Sequence, residues 1–351
     1  MTYRLNDKIR DLKPYEPISG QYRIRLDANE SFLPLPDDII QKIRQETACA
    51  AYNRYPDSTA GELCERFAAY HGLNTESLTA GNGSDELISV LCNAFLMKGD
   101  SILTVAPDFS MYKFYASLSE ANCVEYQKKP DLTIDVDDMI RCAARHNTKL
   151  IVFSNPCNPT SLGLKREEVR RLITSVPALV VVDEAYMDFW DQSLLPEAEQ
   201  YDNLIILRTC SKAFAMAGIR LGFAVANPTL TKALHAVKSP YNVNTLTQKI
   251  GALILSEPEW IQASIRKVVE SRDELYRGFR QLEADVGADM HVYPTVTNFV
   301  LIRLENAKEI YDYLLKAGIA VRFLGDFLRI TAGSGEENAE VLRVFADALK
   351  R

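Results

Sequence analysis

Six short apolar runs limit this chain's fold more than any other feature. They are Ser101 to Val105, Ala121 to Tyr126, Leu150 to Phe153, Leu179 to Val182, Leu204 to Leu207 and Gly222 to Val225. Each is of strand length, and they alternate with stretches of helical spacing, the pattern of a mainly parallel sheet with helices on both faces. In such α/β sheets the residues just beyond the carboxyl ends of the strands share one crevice. Pro107-Asp108-Phe109, Ser154 to Thr160, Asp183-Glu184-Ala185-Tyr186 and Thr209 to Lys212 are therefore expected at one site.

The residues around Lys212 are unusual for a loop. A lysine between small hydroxyl residues follows a buried-looking strand, and Arg220 lies eight residues on. Burial disfavours a charged amine, and a neutral amine attacks carbonyls. Thr209, Ser211 and Arg220 supply donors for a phosphate. An aldehyde that carries a phosphate satisfies both halves, and pyridoxal phosphate is such a molecule. A surface lysine in a Ser-rich loop is the competing reading of this stretch alone, so its partners must decide.

Those partners lie at the other strand ends. Asp183 closes a run of valines where an unpaired carboxylate is costly, so a cation such as a pyridinium nitrogen is expected against it. Tyr186 and Asn158 can bond a ring oxygen, and Phe109 offers a face for stacking. Leu78 to Leu87 reads as a strand, a glycine turn (Gly81, Gly83) and a helix whose first N–H groups, near Ser84 and Asp85, can seat a phosphate. Glu86 stands where a dinucleotide fingerprint needs its third glycine, which disfavours NAD. Each residue has an ordinary structural explanation, but together they supply the polar contacts of one cofactor.

The remaining chain frames this site. Residues 1–30 read as an N-terminal arm, 31–240 as a large cofactor-binding domain and 241–351 as a smaller α+β domain. Helices are expected over Asp37 to Ala51, Glu62 to Tyr70, Pro258 to Glu283, Ala307 to Ala317 and Glu337 to Leu349, with strands at Thr297 to Arg303 and Phe327 to Thr331. Arg322 and Arg329 fall near or within the later strands, where a guanidinium can hold an anionic substrate group. With 351 residues and a net charge of -7, the chain lacks the basic face that nucleic acid requires. No segment has the length of a membrane span, and the charged, proline-containing start does not read as a leader, so a cytoplasmic protein is expected. Seven cysteines without a C-x-x-C spacing read as reduced thiols, and four scattered histidines give no reason to expect a metal.

The assembled motifs resemble the fold-type I pyridoxal-phosphate aminotransferases and, within them, are most similar to the histidinol-phosphate aminotransferases. The resemblance runs from Leu26-Asp27-Ala28-Asn29-Glu30 through Asn53-Arg54-Tyr55-Pro56, Gly81 to Glu86, Asn158-Pro159-Thr160, Asp183 to Tyr186 and Thr209 to Arg220 to Leu328 to Gly333. It implies that Lys212 is the Schiff-base lysine, Asp183 the ring-nitrogen partner, and Asn158 and Tyr186 the phenolic-oxygen partners. Ser84, Asp85, Thr209, Ser211 and Arg220 would surround the cofactor phosphate, with Tyr55 arriving from the second subunit of a homodimer. Arg329, with Arg322 and Asn29, would contact substrate. An amino donor, best guessed as L-histidinol phosphate, and 2-oxoglutarate are the implied substrates. A threonine-phosphate decarboxylase, an aromatic aminotransferase and a regulatory module without catalysis are the alternatives. Two departures stand out: Ser161 replaces the usual glycine after Asn-Pro-Thr, which is expected to alter only a turn, and the segment between Arg322 and Arg329 is short.

Overall fold

The computed structural model describes residues 3–14, 18–287 and 289–350. In chain order, α1 (Asp7–Arg10), β1 (Ile24–Leu26), α2 (Asp37–Ala48) and α3 (Gly61–His71) precede the main alternation. That alternation comprises β2 (Leu78–Gly81), α4 (Ser84–Phe95), β3 (Ser101–Ala106), α5 (Met111–Leu118), β4 (Asn122–Gln127), α6 (Val136–Arg145), β5 (Leu150–Ser154), α7 (Arg166–Ser175), β6 (Leu179–Asp183), β7 (Leu204–Thr209) and β8 (Gly222–Ala226). Next come α8 (Pro228–Val237), α9 (Thr245–Leu255), α10 (Pro258–Val286), β9 (Met290–Val292), β10 (Phe299–Leu304), α11 (Ala307–Lys316), β11 (Ile319–Leu324), β12 (Phe327–Thr331) and α12 (Gly335–Leu349). Every strand and helix expected from the sequence is present, with ends displaced by a few residues.

Seven strands form one sheet in the order β2-β8-β7-β6-β5-β3-β4. β8 runs antiparallel to both neighbours, and the other pairs are parallel. Successive residues of the central strands point to opposite faces, and both faces are covered. Val180, Val182, Leu204 and Ile206 pack into one apolar cluster, while Val181, Ile205 and Leu207 pack into another on the opposite side. This double burial explains why these strands read as continuous apolar runs. The shared direction of β2, β3, β5, β6 and β7 puts their ends on one rim, where Gly222 at the start of β8 pairs with both Gly81 and Thr209.

A second sheet has the order β1-β11-β12-β10-β9. β1, the end of the expected arm, pairs in parallel with β11 through Ile24 opposite Ile319. The change of character expected near Tyr241 lies later in the packing. α9 and the start of α10, through Ile250, Ile254, Ile261 and Val268, belong to the core of the first sheet, whereas Leu275 and Phe279 of the same helix join the second. A helix of 29 residues is long enough to serve both cores. Among the described residues, no helix is long and apolar enough to cross a membrane.

Candidate active site

Asp183 is the last residue of β6, so the hydrophobic strand that carries it also buries it. Its Oδ2 accepts a hydrogen bond from the Tyr112 hydroxyl at 2.8 Å, and its Oδ1 accepts one from the Ala185 N–H at 3.1 Å. Burial pushes its pKa up to about 7 against these two bonds, and the charges of Asp108 and Asp85 add to the rise. The cation expected beside Asp183 is thus replaced, within the chain, by a phenol and an amide. An acid that burial holds near neutrality despite these bonds suits a ligand that brings its own N–H⁺.

Lys212 follows the neighbouring strand β7 and is half-buried. Its Nζ donates to the Ala28 carbonyl at 2.8 Å. Its pKa is lowered to about 8, first by burial and then by the positive charge of Arg329, with Glu30 and Asp85 acting oppositely. The charge of Asp85 therefore acts on both Asp183 and Lys212, as expected of groups sharing one crevice.

Two polar residues line the side toward the second sheet. The buried Tyr186 hydroxyl accepts from Asn29 Nδ2 at 2.8 Å, so its own O–H is a donor for a ligand oxygen. Asn29 is in turn fixed by Thr331 of β12, whose hydroxyl accepts from the Asn29 N–H at 3.0 Å. Asn158 Oδ1 accepts from Arg329 Nη1, which turns the Asn158 amide group into a second donor. Arg329 also donates to the Asp27 carbonyl at 2.6 Å and lies 5.3 Å from the Phe299 ring centre. Arg322 faces Arg329 across the β11–β12 pair, which puts two guanidinium groups on one face of that ribbon.

The phosphate side is built around close backbone approach. Gly83, at φ 82°, caps α4, and a Cβ on Gly222 would meet the Ser84 nitrogen at 2.6 Å and the Gly83 carbonyl carbon at 2.8 Å. Only glycine lets β8 approach the start of α4 so closely. Arg220, in the left-handed region at φ 57°, donates to Ser211 Oγ at 3.4 Å and lies 3.8 Å from Asp85 Oδ2. Ser211 N–H donates to Thr209 Oγ1 at 3.2 Å. Hydroxyls, a guanidinium and the first amides of α4 thus converge as a dianion requires. Glu86, which takes the place of a fingerprint glycine, accepts from the Asn82 N–H at 2.7 Å and from Asn242 at 2.8 Å, so it braces this turn. Phe109 is half-buried and meets Tyr112 edge to face at 5.6 Å.

Tyr55 is not buried with these residues. It is 80% exposed and stacks on Tyr241 at 4.5 Å. Ser161 does more than shape a turn: it adopts φ 61°, the conformation that favours glycine, and its hydroxyl donates to the Pro294 carbonyl at 2.8 Å, tying the Asn158 loop to the chain entering β10. Two contributors escaped the sequence reading, Tyr112 and the Ala28 carbonyl, while Asp108 was expected at the site without a role of its own. Tyr112, on a face of α5, carried only the signal of a core residue. The backbone carbonyl carried none.

A family model described as aminotransferase class I and II matches residues 23–345. The histidinol-phosphate aminotransferase of Clostridium novyi (strain NT) is 41% identical over 339 residues, covering 95% of this chain and 94% of that protein. The crystal structure of histidinol-phosphate aminotransferase from Sinorhizobium meliloti in complex with pyridoxal-5'-phosphate matches with a TM-score of 0.89 at 21% identity, covering 100% of this chain and 98% of that one. The L-threonine-O-3-phosphate decarboxylase of Porphyromonas gingivalis matches with a TM-score of 0.80 at 22% identity over 93% of this chain and 100% of that one. The fold is therefore common to both chemistries and does not choose between them.

Proposed function

The chain belongs to the aminotransferase class I and II family, and from that membership we propose that it transfers an amino group between L-histidinol phosphate and 2-oxoglutarate on pyridoxal 5'-phosphate. One observation carries the choice of substrate: the 41% identity to a curated histidinol-phosphate aminotransferase extends over 95% of the chain. When bound, the cofactor supplies an aldehyde that takes up the amine and a ring that accepts the electrons of the substrate α-carbon.

The protein's own residues do the rest. Lys212, with its pKa lowered to about 8, is the amine that holds the aldehyde and, once displaced, the general base that carries the proton from the substrate α-carbon. Asp183 keeps the ring nitrogen protonated. Burial, with the charges of Asp108 and Asp85, raises its pKa to about 7, and a pyridinium N–H⁺ would return it to the charged form. The Tyr186 hydroxyl and the Asn158 amide would donate to the ring oxygen, and Phe109 would offer a face to the ring. Ser84, Asp85, Thr209, Ser211 and Arg220 would hold and orient the phosphate. Arg329, with Arg322 across the strand pair and Asn29 behind Tyr186, positions the anionic end of the substrate. The exposed Tyr55 supports a homodimer in which that residue completes the phosphate site of the second copy.

The test is a half-reaction with no acceptor present. The loaded protein is mixed in turn with histidinol phosphate, phenylalanine and threonine phosphate, and bleaching of its yellow colour and release of carbon dioxide are followed. Rapid bleaching by histidinol phosphate without carbon dioxide is the expected result. Preference for phenylalanine would give an aromatic aminotransferase, and carbon dioxide from threonine phosphate a decarboxylase.

A further inference from the structure

We propose that Asp108, at the end of β3, is a positioning residue of this transaminase centre and fixes Asn158 through Ser154. Its Oδ2 accepts from the Ser154 N–H at 3.0 Å, and its Oδ1 accepts from the Ser154 hydroxyl and from the Phe109 N–H at 2.7 Å. Ser154 Oγ in turn accepts from the Asn158 N–H at 3.1 Å, and Asn158 accepts from Arg329. A serine hydroxyl has one proton. When that proton goes to the Asp108 carboxylate, the oxygen's lone pairs are left to receive Asn158, so the polarity of the whole relay is set by an acceptor-only group at position 108.

The same loop is held from the opposite side. Lys128, just beyond β4, donates to the Pro107 carbonyl at 2.9 Å, to Cys157 Sγ at 2.9 Å and to Thr160 Oγ1 at 3.2 Å. The Lys128 charge opposes the burial that raises the Asp108 pKa. Cys157 also faces Asp108, at 3.5 Å, and the Asp108 charge acts on Asp183 of β6, beyond β5, and on Tyr112 of α5. Ser154 pairs with Asp183 across β5 and β6, and the Asn155 N–H donates to the Asp183 carbonyl at 2.9 Å. One carboxylate thus registers the donor of the ring oxygen against the acid of the ring nitrogen.

Asp108→Asn tests this without changing shape, because an amide offers one acceptor where two Ser154 donors need two. Hydrogen exchange of the cofactor-free protein should rise over residues 154–160. In the loaded protein the absorbance-detected pKa of the bound cofactor should rise as the Asn158 donor is lost, and kcat should fall about ten- to a hundredfold, with a smaller change in KM. Ser154→Ala, which keeps Asp108 and removes the relay, should give the same pKa shift, and the double variant no more than either alone. If Asp108→Asn does not fold, Ser154→Ala carries the test. Wild-type exchange over 154–160, or additive effects in the double variant, would overturn the proposal. It rests on the placing of Asn158 at the ring oxygen, so raised exchange with an unmoved cofactor pKa would overturn it through that assignment instead.

Discussion

Lys212 and Asp183 are displaced in opposite directions by the same cause. Burial disfavours charge on both, lowering the amine from 10.5 to about 8 and raising the acid from 3.8 to about 7. Uptake of pyridoxal phosphate by the cofactor-free protein requires a neutral amine, so its rate, followed by stopped-flow absorbance, should rise through pH 8 and level off well below pH 10.5. The effect on stability follows from linkage. Between about pH 4 and 7 the folded protein holds the Asp183 proton more tightly than the unfolded chain, so this residue's contribution falls as pH rises through that window. The penalty on Lys212 is complete below about pH 8 and is relieved as pH rises toward 10.5. Asp183→Asn should therefore raise the unfolding temperature of the cofactor-free protein at pH 7.5 but not at pH 4, while weakening cofactor binding. Both residues were legible in the sequence because a polar group that ends an apolar run has few explanations. Tyr112 was not: a tyrosine on an amphipathic helix face reads as core until its hydroxyl is seen to reach Asp183. Ser161 was misjudged because the sequence does not reveal φ.

At the scale of elements, the segment after β6 is tied down by a buried cation. Arg208 of β7 donates to Glu184 Oε2 at 3.1 Å and to Asp188 Oδ1, on either side of Tyr186. Glu184 is further held by Ser193 Oγ at 2.6 Å and by the Leu194 N–H at 3.0 Å. Removing the guanidinium leaves two carboxyls buried without it, so Arg208→Met should cost about 3–5 kcal/mol in urea unfolding at neutral pH. The sequence hid this network because Arg208 sits inside a strand and its partners lie 20 and 24 residues away in the chain. Strands β3, β5, β6 and β7 were legible since burial on both faces makes each a largely continuous apolar run, whereas the edge strand β4 is only partly buried. The direction of β8 was not, as its composition is the same whichever way it runs. The three-residue β9 is too short to show a period.

At the scale of the whole molecule, the two sheets meet over the site, with Asn29, Asn158, Tyr186, Arg329 and Thr331 linked across the join. The two apolar clusters separate within α10, between Val268 and Leu275. Composition alone marks where polarity changes, not which core a helix serves. If Tyr55 serves the second copy, mixing Lys212→Ala with Tyr55→Ala protein under conditions that exchange subunits should restore activity. A mixed dimer then has one site with both residues intact, and the yield should approach a quarter of the wild-type rate for statistical pairing. Activity no greater than the sum of the two variants would remove Tyr55 from a shared site. The amine at position 212 is proposed to carry the cofactor. Borohydride reduction of the loaded protein followed by peptide mapping measures this directly. A stable phosphopyridoxyl group is expected on the peptide containing Lys212 and none in Lys212→Ala; an unmodified Lys212, or a label on another lysine, would show that this amine does not carry the cofactor.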